Sequence, residues 1–186
     1  MATASFLSSC GSSPDNHAHS TLADDKPVIT GEPAGYNTAD VAFANSITAL
    51  EEQGTNVSGL VPGHSDNNDL VTFAAKTATA LQVDTQVMQA LRVQWKEGQN
   101  NASGDGGPST TTAGGISDET IVKLNSLHGP DFDTLWLKSM IGLDQAAIEV
   151  ANTEIASGEN IDAVALAKQI VTSRQAEIHQ MQQMAS

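Results

Sequence analysis

Residues 133–150 read DTLWLKSMIGLDQAAIEV, and residues 40–57 read DVAFANSITALEEQGTNV. Set in register, 93 positions apart, they begin with the same aspartate and carry the same leucine at Leu50 and Leu143 and the same valine at Val57 and Val150. The register continues without a gap to Leu91. Asn67 meets Asn160, Asp69 meets Asp162, Val71 meets Val164, Ala74 meets Ala167, Gln82 meets Gln175 and Met88 meets Met181. Similar residues fill in: Phe43 with Trp136, Ile47 with Met140, Glu51 with Asp144, Phe73 with Leu166, and Asp84 with Glu177. An ungapped match at a fixed offset is the mark of an internal duplication.

Each copy has helical periodicity. Val41, Ala44 (or Phe43), Ile47 and Leu50 recur every three or four residues, as do Phe132, Trp136, Met140, Leu143, Ala147 and Val150. Asn37 or Thr38 caps the first helix, and Gly54 ends or loosens it. VSGLVPGHS reads as a loop turning at Pro62-Gly63. Ser65 or Asp66 caps a long second helix. Ser117-Asp118 opens a short helix ending at His128-Gly129, Pro130 starts the next helix at its first position, Gly158 ends it, and Asn160 caps the last. No period-2 alternation bounded by hairpin turns occurs. The expected fold is therefore all-α. It is a four-helix bundle made of two repeated helical hairpins that close their apolar stripes on each other about a pseudo-two-fold axis.

The domain spans residues 37–186, with repeat one at 38–97, a Gly/Ser/Thr-rich linker at 98–115 and repeat two at 117–186. Residues 1–36 form an arm that holds three of the six prolines and little apolar pattern, and they read as flexible. Within the arm, Leu7-Ser8-Ser9-Cys10 resembles a bacterial lipobox, and Cys10 is the only cysteine. Cys10 is thus the candidate lipidation site, with Gly11-Ser12-Ser13 as tether. Only Met1 to Phe6 precede the box, without the basic and apolar regions of a signal peptide. Either a signal has been shortened or replaced, or Cys10 is a free thiol in a tail.

Eight basic residues stand against 22 acidic ones, a net charge of −14. Such a chain is repelled by nucleic-acid phosphates and by anionic lipid headgroups. A single cysteine excludes an internal disulfide and a Cys-based zinc site. No phosphate loop, H-E-x-x-H or G-x-S-x-G is present. Nor is there the Glu-x-x-His pair of a di-iron bundle; Glu177-Ile178-His179 has the wrong spacing. Catalysis is not expected.

Phe132, Asp133, Met140, Ile141, Ala147, Ile148, Gln175, Glu177, Ile178 and Met181 make a pattern that resembles domain-of-unknown-function family 305. The likeness covers Leu127–Met184 closely and Asp40–Trp95 more loosely. It implies a ferritin-like four-helix bundle, often duplicated, secreted or lipid-anchored in bacteria, here of actinobacterial type. It also implies copper for some members, bound by two adjacent histidines after Met-Ile and one more residue, with methionines from the last helix. This chain has Leu143 and Asp144 at those two positions, and Leu50 and Glu51 in the first copy. Imidazole and thioether suit copper; an aliphatic chain and a carboxylate do not.

Several weak metal candidates remain. Glu51 and Asp144, if both face the axis, form a buried carboxylate pair that must share a proton or a hard cation. The simpler arrangement, and the expected one, keeps Leu50 and Leu143 in the core and leaves the acids at its solvated margin. Met88 and Met181 read first as core filler. His17 and His19 offer a poor copper or zinc site in the arm, and they are the only closely spaced histidines. His64, His128 and His179 read as isolated, the first two at helix ends beside glycines, where caps are common.

The functional expectation is an extracytoplasmic bundle, anchored by lipid to the outer face of the cell membrane. It acts as a binding or accessory subunit with an envelope protein or membrane complex as partner, no cofactor beyond the lipid on Cys10, and no nucleic acid. The alternative is a periplasmic metal-binding protein.

Overall fold

The computed structural model describes residues 35–98 and 114–185. They form six helices: α1 Thr38–Ser58, α2 Val61–His64, α3 Asn68–Gly98, α4 Asp118–Ser126, α5 Gly129–Ser157 and α6 Ile161–Met184. The four long ones are α1, α3, α5 and α6. No strand occurs among the described residues. Cys10, His17, His19 and most of the linker lie outside them.

The duplication is visible in the capping. The Asn67 side chain accepts from the Asp69 and Leu70 backbone N–H groups at the start of α3. Asn160, its mate, accepts from Ala163, the mate of Leu70, at the start of α6. Asn67 rather than Ser65 or Asp66 is therefore the cap; Ser65 instead accepts from Asn67 N–H one step earlier. Asn37 caps α1 and Ser117 caps α4. Each cap supplies an acceptor to N–H groups that have no partner within the helix.

Two local expectations fail. Gly54 does not end α1, which continues to Ser58. The glycine is buried because α1 crosses α5 closely there: a Cβ on it would lie 2.8 Å from Leu143 Cδ2 and 2.9 Å from Leu81 Cδ1. Val61–His64, read as loop, makes one helical turn, with Pro62 in its first turn where a missing N–H costs nothing.

α1 packs on α3, α5 packs on α6, and the two hairpins meet mainly through α1 and α5, with α3 and α6 touching much less. One apolar cluster runs through all four: Phe43, Ile47 and Leu50 of α1, Phe73, Leu81 and Met88 of α3, Trp136, Met140 and Leu143 of α5, and Leu166, Ile170 and Met181 of α6. Phe73 meets Trp136 edge to face at 6.3 Å, and Trp136 Nε1–H donates to Val57 O across the hairpins at 3.2 Å. Val41, placed on the stripe by periodicity, is 40 % exposed; Phe43 and Ala44 take the inward positions.

Candidate functional site

The apolar stripe of α6 is interrupted at Arg174, which falls four residues after Ile170 and seven before Met181, so its side chain is delivered into the bundle. It is 1 % exposed. Its Nη2 donates to Glu51 Oε1 of α1 at 3.2 Å and to Asp84 Oδ2 of α3 at 2.9 Å. Its Nη1 donates to Glu177 Oε2, one turn along α6, at 3.0 Å. Its Nε lies 3.9 Å from Asp144 Oδ1 of α5, an ion pair too long for a hydrogen bond. Thr85 Oγ1 donates weakly to the second oxygen of Glu51 at 3.4 Å. All four long helices thus send a side chain to one guanidinium. Its planar fork is suited to several carboxylates at once.

The four acids are two pairs of repeat mates, Glu51 with Asp144 and Asp84 with Glu177. Arg174 has Leu81 as its mate and so has no counterpart. One positive charge faces four carboxyl groups, more negative charge than it can neutralise. Burial therefore raises Glu51 well above the usual carboxyl range, with Asp84 adding to the rise and Arg174 opposing it. Burial likewise pushes Asp144 up to about 8 and raises Asp84. Asp144 Oδ2 has no hydrogen-bond partner, so nothing there offsets the burial of a charge. Arg174 stays charged: burial disfavours its cation, and the carboxylates, Glu177 foremost, more than offset this.

The acids are consequently not at a solvated margin. Glu51 is 1 % and Asp144 2 % exposed. The expectation fails because it weighed each acid as unpaired, whereas Arg174 bridges them. The two leucines are buried as well, so adjacent positions on α1 and on α5 both face inward. Met88 and Met181 pack in the core. Among the described residues no group of three or more His, Cys, Asp or Glu is arranged to hold a metal ion. Copper does not fit this centre: its donors are hard carboxylates, and a fixed cation already bridges them.

Two further places carry chemistry. At one end, Asp40 is fully buried; it accepts from Asn37 N–H at 2.6 Å, closing a capping box on α1. It also accepts from Asn160 N–H at 2.9 Å and Glu159 N–H at 3.2 Å, tying α1 to the α5–α6 turn. Burial alone would raise Asp40, but the neighbouring Glu154 carboxyl and these N–H groups leave it below the usual value. Glu154 is pushed up to about 8, first by burial and then by Asp40. At another place, His64, at the end of α2, stacks on His128 with ring centroids 4.5 Å apart and on Phe132 at 5.0 Å. The two histidines read as isolated are neighbours, because α2 folds back onto the segment preceding α5. Sequence distance, 64 positions, conceals this.

Between α3 and α6 lies an open cleft of about 780 Å³, lined by Val71, Ala75, Ala80 and Val83, and reaching Asp84 and Arg174. No helix among the described residues is long and apolar enough to cross a membrane.

The family model described as "Domain of unknown function (DUF305)" matches residues 40–185, and the chain belongs to that family. Solved structures share the fold. The putative secreted protein DUF305 from Streptomyces coelicolor is 20 % identical, with 77 % of this chain and 88 % of that one covered and a TM-score of 0.68. A DUF305 fragment from Deinococcus radiodurans is 18 % identical, covering 82 % and 97 %, with a TM-score of 0.71. CopM in its Cu(I)-bound form is 19 % identical, covering 78 % and 94 %, with a TM-score of 0.63. No curated protein matches the chain.

Proposed function

We propose that this DUF305 protein is an extracytoplasmic bundle, lipid-anchored through Cys10, that acts by binding a protein partner at the cell envelope and not by catalysis. The single observation that carries this reading is Arg174. At the positions where the family resemblance places copper-binding histidines, the chain has Leu50-Glu51 and Leu143-Asp144, and one guanidinium bridges both acids. A centre organised around its own cation has exchanged ligand capture for internal cohesion. The location is supported by the secreted relative from Streptomyces coelicolor and by the lipobox-like Leu7–Cys10.

The test is isolation of the native protein from membranes under mild detergent. Acyl chains on Cys10 by intact mass, together with a co-isolating protein in stoichiometric amount, are expected. Native protein carrying an unmodified Cys10 with residues 1–9 attached overturns the anchor. Native protein with stoichiometric copper and no partner overturns the binding role.

A further inference from the structure

We infer that the open cleft between α3 and α6 is a docking groove for one basic amphipathic helix of a partner protein. The inference rests on the reading of this chain as one that acts by binding. It names the surface used and the kind of partner that fits it.

The groove follows from how the bundle closes. The hairpins can meet along two seams, α1 with α5 and α3 with α6. The first is closed by close packing; along the second the helices touch much less and leave a cleft of about 780 Å³. Its walls include repeat mates, Lys76 of α3 with Gln169 of α6 and Ala80 with Ser173. None of these four is a large apolar side chain, so the seam is not filled from within.

The α3 wall has helical spacing. Val71, Ala75, Thr79 and Val83 recur every four residues, a ridge of about 18 Å at 1.5 Å per residue. Ala75 and Val83 are exposed, Val83 to 41 %. A row of apolar and small side chains along a groove is the counterpart of a helix laid into it. A small ligand matches this shape poorly. Small-molecule pockets enclose most of their ligand, and a molecule in a cleft open along its length keeps one side wet. An amphipathic helix has a polar face for that side.

Charge selects the partner. The cleft reaches Asp84 and Arg174, where four acids face one guanidinium. Asp84 presents that surplus of acid to the cleft, its side chain 10 % exposed. A lysine or arginine of the incoming helix meets it there. Lys76 stands exposed two turns before Asp84 on α3. An acid on the partner, two turns from its base, pairs with Lys76 and sets the direction of the helix. Gln169 Oε1 has no hydrogen-bond partner and adds an acceptor to the facing wall. A second copy of this chain carries the same net charge of −14 and is repelled, whereas a basic helix is drawn in.

The test titrates the full-length chain by calorimetry with a synthetic peptide of about 14 residues, long enough to span the ridge. It is built from Leu, Ala and Lys on helical spacing, with one Glu two turns from a Lys. A one-to-one complex is expected, with amide chemical shifts changing along residues 71–84 and 169–174. The same residues in scrambled order, equally charged but without an apolar face, should bind about tenfold more weakly or worse. Ala75→Lys and Val83→Lys each put a cation into the groove and should weaken binding by about tenfold or more. Both sites are exposed, so helical circular dichroism should be unchanged. Val122→Lys, on the exposed surface of α4, should bind like the parent. Absence of binding, equal binding of the scrambled peptide, or cleft variants that bind as tightly as the parent overturns the groove. A native partner that co-isolates equally with the Ala75→Lys protein overturns the groove and leaves the binding role standing.

Discussion

Arg174 and Leu81 are repeat mates, both buried, at the same position of equivalent helices; one is the cation of the bundle centre and the other is a hydrocarbon. The duplication is symmetric in its acids and asymmetric in the charge that holds them. Removing one partner of a buried ionic cluster leaves the others uncompensated and costs about 3–5 kcal/mol. Arg174→Leu, which makes α6 resemble α3 at this position, should destabilise by that amount in urea unfolding at pH 8. Adding Asp84→Asn, which removes the charge of the acid that Arg174 bonds at 2.9 Å, should recover part of the loss. A single variant as stable as the parent would remove Arg174 from the centre of this account.

The response to pH should run opposite to that of most proteins. Asp144 and Glu154 keep their protons up to about pH 8 in the folded chain, while unfolded carboxyl groups release them at roughly pH 4. Between those values the folded state holds more protons than the unfolded one, so stability falls as pH rises and is greatest at the acid end of the window. Asp40 works in the other sense: its value is lowered, and its contribution is lost as pH falls through that lowered value. The melting temperature should therefore rise from pH 8 to pH 5 and fall again under more acidic conditions. Asp144→Asn with Glu154→Gln should flatten the first slope. A parent protein whose melting temperature climbs between pH 5 and pH 8 contradicts the protonation scheme.

The tie made by Asp40 is separable from the core. Asp40→Ala removes a capping-box acceptor of α1 and the carboxylate that accepts from the Glu159 and Asn160 N–H groups of the α5–α6 turn, each lost bond being about 1–3 kcal/mol. Hydrogen exchange should accelerate at the start of α1 and at Glu159–Asn160 together. Acceleration confined to α1 would show that the turn is held by other means.

A single core predicts a single transition. Leu143 is 2 % exposed and reaches Gly54 on the opposite hairpin. Leu143→Ala should cost about 2–5 kcal/mol, and tryptophan fluorescence and circular dichroism should report the same midpoint. Two separated transitions would mean that the hairpins fold independently.

Periodicity and the 93-residue offset sufficed for the four long helices, the two-hairpin arrangement and the residues of the core, because one face of each helix must be apolar whatever its neighbours are. They did not suffice for the centre. Leu50-Glu51 and Leu143-Asp144 are adjacent pairs, and the pattern of a helix cannot say which of two neighbours turns inward. The signal that sequence offers is the mate of Leu81: an arginine on an apolar stripe needs acids facing it, and Glu51 and Asp144 are repeat mates on α1 and α5 that reach it. His64 and His128 left no such trace, since their meeting depends on how α2 folds back. Gly54 misled for a related reason. A glycine in a helical pattern reads as an end, but here it serves close approach.

The order in which the chain is made adds a constraint of its own. Glu51 and Asp84 belong to the hairpin that leaves the ribosome first, and the only guanidinium that bridges them belongs to the last helix. Until that helix emerges, the first hairpin holds two acids with no cation to face, and its apolar stripe has no opposite number. The charge that bridges those acids comes with the segment containing Arg174. The duplicated halves are not interchangeable: two copies of the first would bring four acids to the axis with no arginine among them.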